Sequence, residues 1–214
     1  MPNWCECDVR VSGPESKLQE FKQAVACPDD KSVFRINNIL PTPVSLLDAP
    51  AGAMEILHEI VNGSDEQFKI ITTLHGIETT DRKEAFEIYV ARNNIEGAKC
   101  IELAETYKRN MEVYGHQTWY SWRIANWGTK WDTNNSSIVE ERYQPGGSCS
   151  LIYVFDTAWS PPTEALTAIS RRFSFLTFRM RYFECGMGFK GFLKLRNGAV
   201  LSFKSSGYSG TRGG

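Results

Sequence analysis

The chain has 214 residues, 42% hydrophobic and 23% charged, with a formal net charge of −1. That length and composition suit one domain, or one domain with a large insertion, and argue against a disordered chain. Near-neutral charge removes any bulk electrostatic basis for non-specific nucleic-acid binding, although a local basic patch is still allowed.

Residues 3–11 alternate, with Cys5, Cys7, Val9 and Val11 on one face and Glu6, Asp8 and Arg10 on the other, the period of a half-buried strand. Gly13-Pro14 ends it and opens a helix whose apolar stripe is Leu18, Phe21 and Val25. Ser32 to Leu40 reads as a second strand closed by Pro41 and Pro43. From Val44 the spacing turns helical. Met54, Leu57, Ile60 and Val61 share a face, Ser64 with Gln67 resembles a capping box, and stripes continue through Phe86, Tyr89 and Val90, then Ile101, Ala104, Tyr107 and Met111. Residues 44–115 are therefore expected to be a helical insertion.

Five of the six tryptophans fall between Trp119 and Trp159. Trp119 to Ile124 reads as a strand, 132–137 as a polar turn or loop, and Ile138 to Tyr143 as a short strand. Pro145-Gly146-Gly147 is a turn. Leu151 to Phe155 is continuously apolar, as expected for a strand covered on both faces. Ser160-Pro161-Pro162 opens a helix carrying Leu166, Ile169 and Phe173. Leu176 to Glu184 is the clearest strand, and Phe192 to Phe203 a hairpin about Asn197-Gly198. Beyond Lys204 a Ser/Gly-rich flexible tail is expected.

Both ends thus carry a strand, a proline-opened helix and another strand. Two such split βαβ units make an α+β, ferredoxin-like sandwich with a mostly antiparallel sheet. The expected organisation is a sheet domain from 1–43 and 116–203, a helical insertion at 44–115 and a tail at 204–214. This topology puts residues 3–11 antiparallel to 176–184 and predicts cross-strand charge pairs of Glu6 and Asp8 with Arg181 and Arg179.

Four segments also resemble a known family: MPNWC at 1–5, NWGTKWD at 126–132, FDTAWSPP at 155–162 and YFECGMGFKG at 182–191. Together they look like the YubB-like ferredoxin-like proteins of phages and conjugative plasmids, a domain of unknown function. The chain departs from that pattern at Ser121, where an acid is expected, and at Cys185, where proline is expected. The resemblance implies a ferredoxin-like fold and an accessory protein of a mobile element in a bacterial cytoplasm. It implies no iron–sulfur cluster and no known activity.

The six cysteines have no CxxC or Cys/His spacing, so they read as free buried thiols; no metal and no cofactor are expected. No apolar run approaches the ~20 residues needed to cross a bilayer, and the start lacks the features of a signal peptide, so a cytoplasmic location without membrane association is expected. The best polar constellation is Lys130 and Asp132 among Trp127, Trp131 and Trp159, with Tyr182 and Glu184 near. It reads either as a pocket in which a base stacks on tryptophan and Lys130 meets a phosphate, or as packing with a local Lys130–Asp132 ion pair. A second set, Arg123, Arg179, Arg181, Lys194 and Arg196, would make a basic sheet face, partly neutralised by Glu6 and Asp8 and without the aromatic-rich signature of RNA-binding modules at the corresponding strand. No nucleophile-elbow, zinc-protease or phosphate-loop motif occurs, which leaves His116 as a candidate base and Asp132 or Glu184 as candidate acid/base groups. The expected function is a non-enzymatic phage or plasmid accessory protein that binds a host protein or sequesters a small nucleotide-type ligand. The alternatives are an enzyme on nucleotides or nucleic acid, and a single-stranded nucleic-acid-binding module.

Overall fold

A computed structural model describes residues 3–144 and 149–208. Along the chain run β1 (Trp4–Gly13), α1 (Glu15–Val25), α2 (Val44–Asp48), α3 (Ala53–Asn62) and α4 (Asp65–Leu74). Then come α5 (Arg82–Asn93), α6 (Gly97–Tyr114), α7 (Trp119–Trp127), β2 (Asn134–Arg142) and β3 (Cys149–Ala158). The series closes with α8 (Thr163–Arg172), β4 (Thr177–Glu184), β5 (Phe189–Arg196) and β6 (Ala199–Gly207). The chain divides into two compact units, one drawn from its two ends with inner limits at Pro41 and Arg123, the other formed by Thr42–Trp122.

The first unit is one antiparallel sheet in the order β2-β3-β1-β4-β5-β6. Its first four strands, with α1 after β1 and α8 after β3, have the ferredoxin-like order, and β5 and β6 extend the β4 edge as a hairpin. Val9 pairs directly with Met180, and both are buried. Cys5, Cys7, Val9 and Val11 of β1 and Phe178, Met180 and Tyr182 of β4 lie on the packed face. Phe21 of α1 is the hub of that core. Its ring stands edge-on to those of Phe34, Tyr153, Phe173 and Phe178 at centroid distances of 6.0, 5.8, 5.1 and 5.4 Å, within the favoured range for aromatic pairs. Asn197 and Gly198 both have positive φ, +50° and +74°, as a two-residue type I′ turn requires.

Several expectations are corrected. Ser32 to Leu40 is not a strand: it bridges to Cys27 through Ser32 and otherwise turns. Four of its backbone N–H groups find side-chain acceptors instead of a ladder, and Arg35 donates to the Val25 carbonyl at 2.7 Å. The Ser136 hydroxyl accepts from Val33 and Phe34 at 3.1 and 3.3 Å, and the Asp132 carboxylate accepts from Ile36 and Asn37 at 2.8 and 3.1 Å. Phe34 and Ile36 can then enter the core as an irregular segment. The second ferredoxin-like strand is β2, which takes in much of the stretch expected as a loop. Trp119 to Ile124 is helical; its aromatic content favours a strand only weakly, and context overrides such propensities. Gly128, at φ +80°, ends this helix by donating to the Ile124 carbonyl at 3.1 Å. On β3, Leu151, Tyr153 and Phe155 are buried but Ile152 and Val154 only half-buried, since α1 packs on the face that Tyr153 shares. The β1–β4 register is one pair away from the expected match: Asp8 faces Arg181, Glu6 faces Phe183, and Arg179 faces Arg10. Cys185, expected to be buried, is exposed in the β4–β5 turn, and Cys27 is half-buried. β6 continues through Gly207 into the expected tail, whereas 145–148 and 209–214 lie outside the described residues.

The second unit packs Leu57, Ile60, Phe68, Ile77, Ala85, Tyr89 and Cys100 into its own apolar cluster. Ser64 and Gln67 form the reciprocal capping box that starts α4. The Tyr107 hydroxyl donates to the Pro50 carbonyl at 2.8 Å, and burial raises its pKa. Among the described residues, no helix is long and apolar enough to cross a membrane.

Candidate functional site

The seven residues singled out from the sequence separate into four environments. Trp127 is a core residue. Its indole N–H donates to the Leu40 carbonyl at 3.0 Å, and the Arg123 guanidinium lies over its ring at 4.5 Å. Burial lowers the Arg123 pKa, and the nearby Asp132 charge opposes that shift. Asp132 is a backbone anchor: besides Ile36 and Asn37 it accepts from its neighbour Thr133 at 2.8 Å. It makes no ion pair with Lys130, so the expected local pair does not form. The Lys130 ammonium lies over two indole rings, 4.1 Å from the Trp131 centroid and 5.6 Å from that of Trp159. Trp131 in turn sits 6.1 Å from Trp4. Lys130, Trp131 and Trp159 therefore share one partly exposed patch, to which Trp4, not anticipated, also belongs. Trp159 holds φ at +72°, an uncommon backbone state for a bulky residue, and its N–H donates to the Asn3 carbonyl at 3.0 Å.

Tyr182 and Glu184 lie on the packed face of β4. Glu184 is fully buried, and its carboxylate accepts from the N–H groups of Gly186 at 2.7 Å and Met187 at 2.5 Å. It fastens the β4–β5 turn with charge-assisted hydrogen bonds. Asp132 and Glu184 thus both have carboxylate oxygens committed to backbone donors.

The opposite face of the sheet carries a cluster of cations. Antiparallel pairing sets neighbours on this face by register. One cross-strand row is Glu6–Phe183–Lys190–Ser206, the next Asp8–Arg181–Phe192–Lys204, the third Arg10–Arg179–Lys194–Ser202. Arg196 follows Lys194 on the same side of β5. Four members of the expected basic set, Arg179, Arg181, Lys194 and Arg196, thus share this face, whereas Arg123 belongs to α7. On β4 and β5, Phe183 and Phe192 are diagonal neighbours set among cations. Tyr208 stands edge-on to Phe183 at 4.5 Å and under the Lys190 ammonium at 5.2 Å. Arg10 is held to Glu140 at 3.3 Å, but Arg179, Arg181 and Lys194 have no ion-pair partner among the described residues. A cleft of about 790 Å³ opens here against Asp8, Arg181, Phe183, Lys190, Phe192 and Lys204. A smaller one of about 240 Å³ adjoins it at Asp8, Arg181 and Phe192 and reaches Arg10 and Arg179. The sequence signal for this face is the alternation Lys190-Phe192-Lys194-Arg196, of which only Lys190 precedes the residues expected in the hairpin.

In the helical unit, His116 lines a cleft of about 630 Å³ with Glu55, Glu59 and Gln117. Glu55 accepts from the Thr118 hydroxyl at 3.2 Å, and burial raises its pKa. Among the described residues, no group of three or more His, Cys, Asp or Glu side chains could hold a metal ion.

With the sheet order and this face in view, the comparison with known families is specific. Residues 126–209 match the family model described as the ferredoxin-like domain in Api92-like protein. The matched segment contains β2 to β6 and α8, and with them most of the cationic face. Among solved structures the chain is similar to a crystal structure of a protein api92 from Yersinia pseudotuberculosis, at 15% identity and a TM-score of 0.47. That alignment covers 99% of this chain and 100% of the other. No curated protein matches the chain.

Proposed function

We propose that this chain is a non-enzymatic binding protein that holds a nucleotide-type, phosphate-bearing ligand on its open sheet face. One observation carries the reading: Arg179 and Lys194 lie directly opposite each other on β4 and β5, next to the ring of Phe192, with the Glu140-paired Arg10 beyond Arg179 on β1. Like charges placed directly opposite on a sheet are destabilising. An anion seated on the row relieves that repulsion, and Phe192 and Phe183 offer faces for a base. Asp132 and Glu184, the carboxylates first considered as acid/base groups, are occupied as backbone anchors, which supports binding over catalysis. The phage or plasmid setting rests on the motif resemblance to YubB-like proteins. A thermal-shift titration with millimolar nucleoside mono- and triphosphates tests the reading. We expect a rise in melting temperature that grows with ligand concentration and is lost in the R179Q/K194Q double variant. The same shift in that variant would move the site elsewhere, and recovery of a converted nucleotide would make the protein an enzyme.

A second reading is favoured by the Trp4–Trp131–Trp159 patch, since exposed tryptophans are enriched among residues that anchor protein partners. Capture of a host protein by the wild-type chain, lost in W131A/W159A, is the expected outcome if that patch serves a partner.

A further inference from the structure

The geometry points to a short single strand of nucleic acid, rather than a lone nucleotide, as the ligand of the open sheet face; this rests on the nucleotide-binding reading above. The first reason is extent. Lys190, Lys194 and Arg196 mark one line along β5, and the six steps from Lys190 to Arg196 span roughly 20 Å at the usual rise of a strand. Arg179 and Arg181 run parallel on β4 and Lys204 on β6, each one strand spacing away. The two clefts meet at Asp8, Arg181 and Phe192, so the lined surface runs from Lys190 to Arg179, and Lys194 and Arg196 follow beyond it on β5. A single nucleotide has its phosphates at one end and would leave half of these cations unused. A chain of roughly three to six nucleotides, at the ~3.4 Å per residue of a stacked strand or somewhat more when extended, covers them all.

Charge layout gives the direction. The β1 flank of the track carries Glu6 and Asp8, opposite Phe183 and Arg181, and Asp156 of β3 lies opposite Glu6. The β5–β6 flank carries Lys190, Phe192, Lys194, Arg196 and Lys204. A polyanion is therefore steered along β5 and away from β1 at the Glu6 end. The aromatic residues supply the third reason. Both rings are half-buried in the sheet surface, Phe192 between Arg181 and Lys204 and Phe183 between Glu6 and Lys190; the Phe192 setting meets the exposed face of an unpaired base beside its phosphate. A duplex hides those faces.

The test uses the full chain and fluorescence anisotropy with labelled oligothymidylates and oligouridylates of two to ten residues. Affinity is expected to climb at least tenfold between dimer and hexamer and then level off. For the hexamer, the logarithm of affinity should fall against the logarithm of salt with a slope of about −2 to −4, for three to five phosphates contacted at ~0.7 each. R179Q/K194Q should make that slope shallower by about 1.4. F192L, which keeps apolar bulk without the ring, should weaken the hexamer about 5- to 100-fold with the slope unchanged. A hexamer that binds no tighter than a mononucleotide overturns the single-strand inference and leaves nucleotide binding standing. So does a duplex of equal length that binds as tightly as the single strand. Hexamer binding indifferent to F192L and R179Q/K194Q places the strand off this face and also overturns it. Failure of both mononucleotide and hexamer to bind removes the inference together with the reading beneath it.

Discussion

Asp132 and Lys130 are neighbours but one, yet they act at different levels. The Asp132 carboxylate collects three backbone N–H groups, from Ile36, Asn37 and Thr133, and thereby holds the irregular segment that carries Phe34 into the core. Removing an acceptor leaves those donors unsatisfied, so D132A should lower the unfolding free energy by about 1–3 kcal/mol. Lys130 lies over two partly exposed indole rings, and such an exposed cation–π contact is worth about 0.5–1 kcal/mol. Urea denaturation of the two variants side by side checks the contrast; equal losses would mean that Asp132 is not the anchor described. Neither variant should alter nucleotide affinity, because neither side chain lies on the cationic face.

At the scale of elements, α3 carries two ionisable groups that burial shifts in opposite senses. Burial lowers the pKa of His58, so the folded state favours the neutral ring, which meets Asn62 at 3.1 Å and packs 4.9 Å from the Tyr107 ring. A depressed histidine contributes stability that is present above its unfolded value near 6.5 and is lost as pH falls through the folded value. Glu55 is raised by burial, with a smaller push from Glu59. Its contribution is present below its unfolded value near 4.5 and is lost as pH rises through the folded value. On acidification from pH 7 the two effects oppose each other. E55Q removes the compensating gain, so its urea midpoint should drop more steeply toward acid than that of the wild type, while H58Q should drop less. A wild-type profile reproduced by E55Q would show that Glu55 ionises as freely in the folded state as in the unfolded one.

For the whole molecule, the split into two units makes a concrete forecast. The aromatic hub about Phe21, the Asp132 anchor and all six strands belong to the sheet unit. Leu40 and Trp127, close to its two inner limits, are joined by a 3.0 Å hydrogen bond, so a short Gly/Ser linker can bridge Pro41 to Arg123. The chain without 42–122 should fold to a cooperatively melting, strand-rich domain with dispersed methyl resonances; a molten product would show that the helical unit completes its core. Much of this was legible from residues alone. Period-two alternation in 3–11 and 176–184, the stripes of α1 and α8, the Ser64–Gln67 box and the Asn197-Gly198 turn are local patterns, and each is written in neighbouring side chains. What the sequence could not convey is which distant segment satisfies which. Ser32–Leu40 has the composition of a strand, but Ser136 and Asp132, about a hundred residues on, take its donors, and the sheet's second strand waits until after the helices. The same holds for the face that carries the functional proposal. Arg10, Arg179 and Lys194, or Phe183 and Phe192, become neighbours through strand order and register. Those follow from long-range burial and hydrogen bonding, which one-dimensional periodicity does not encode.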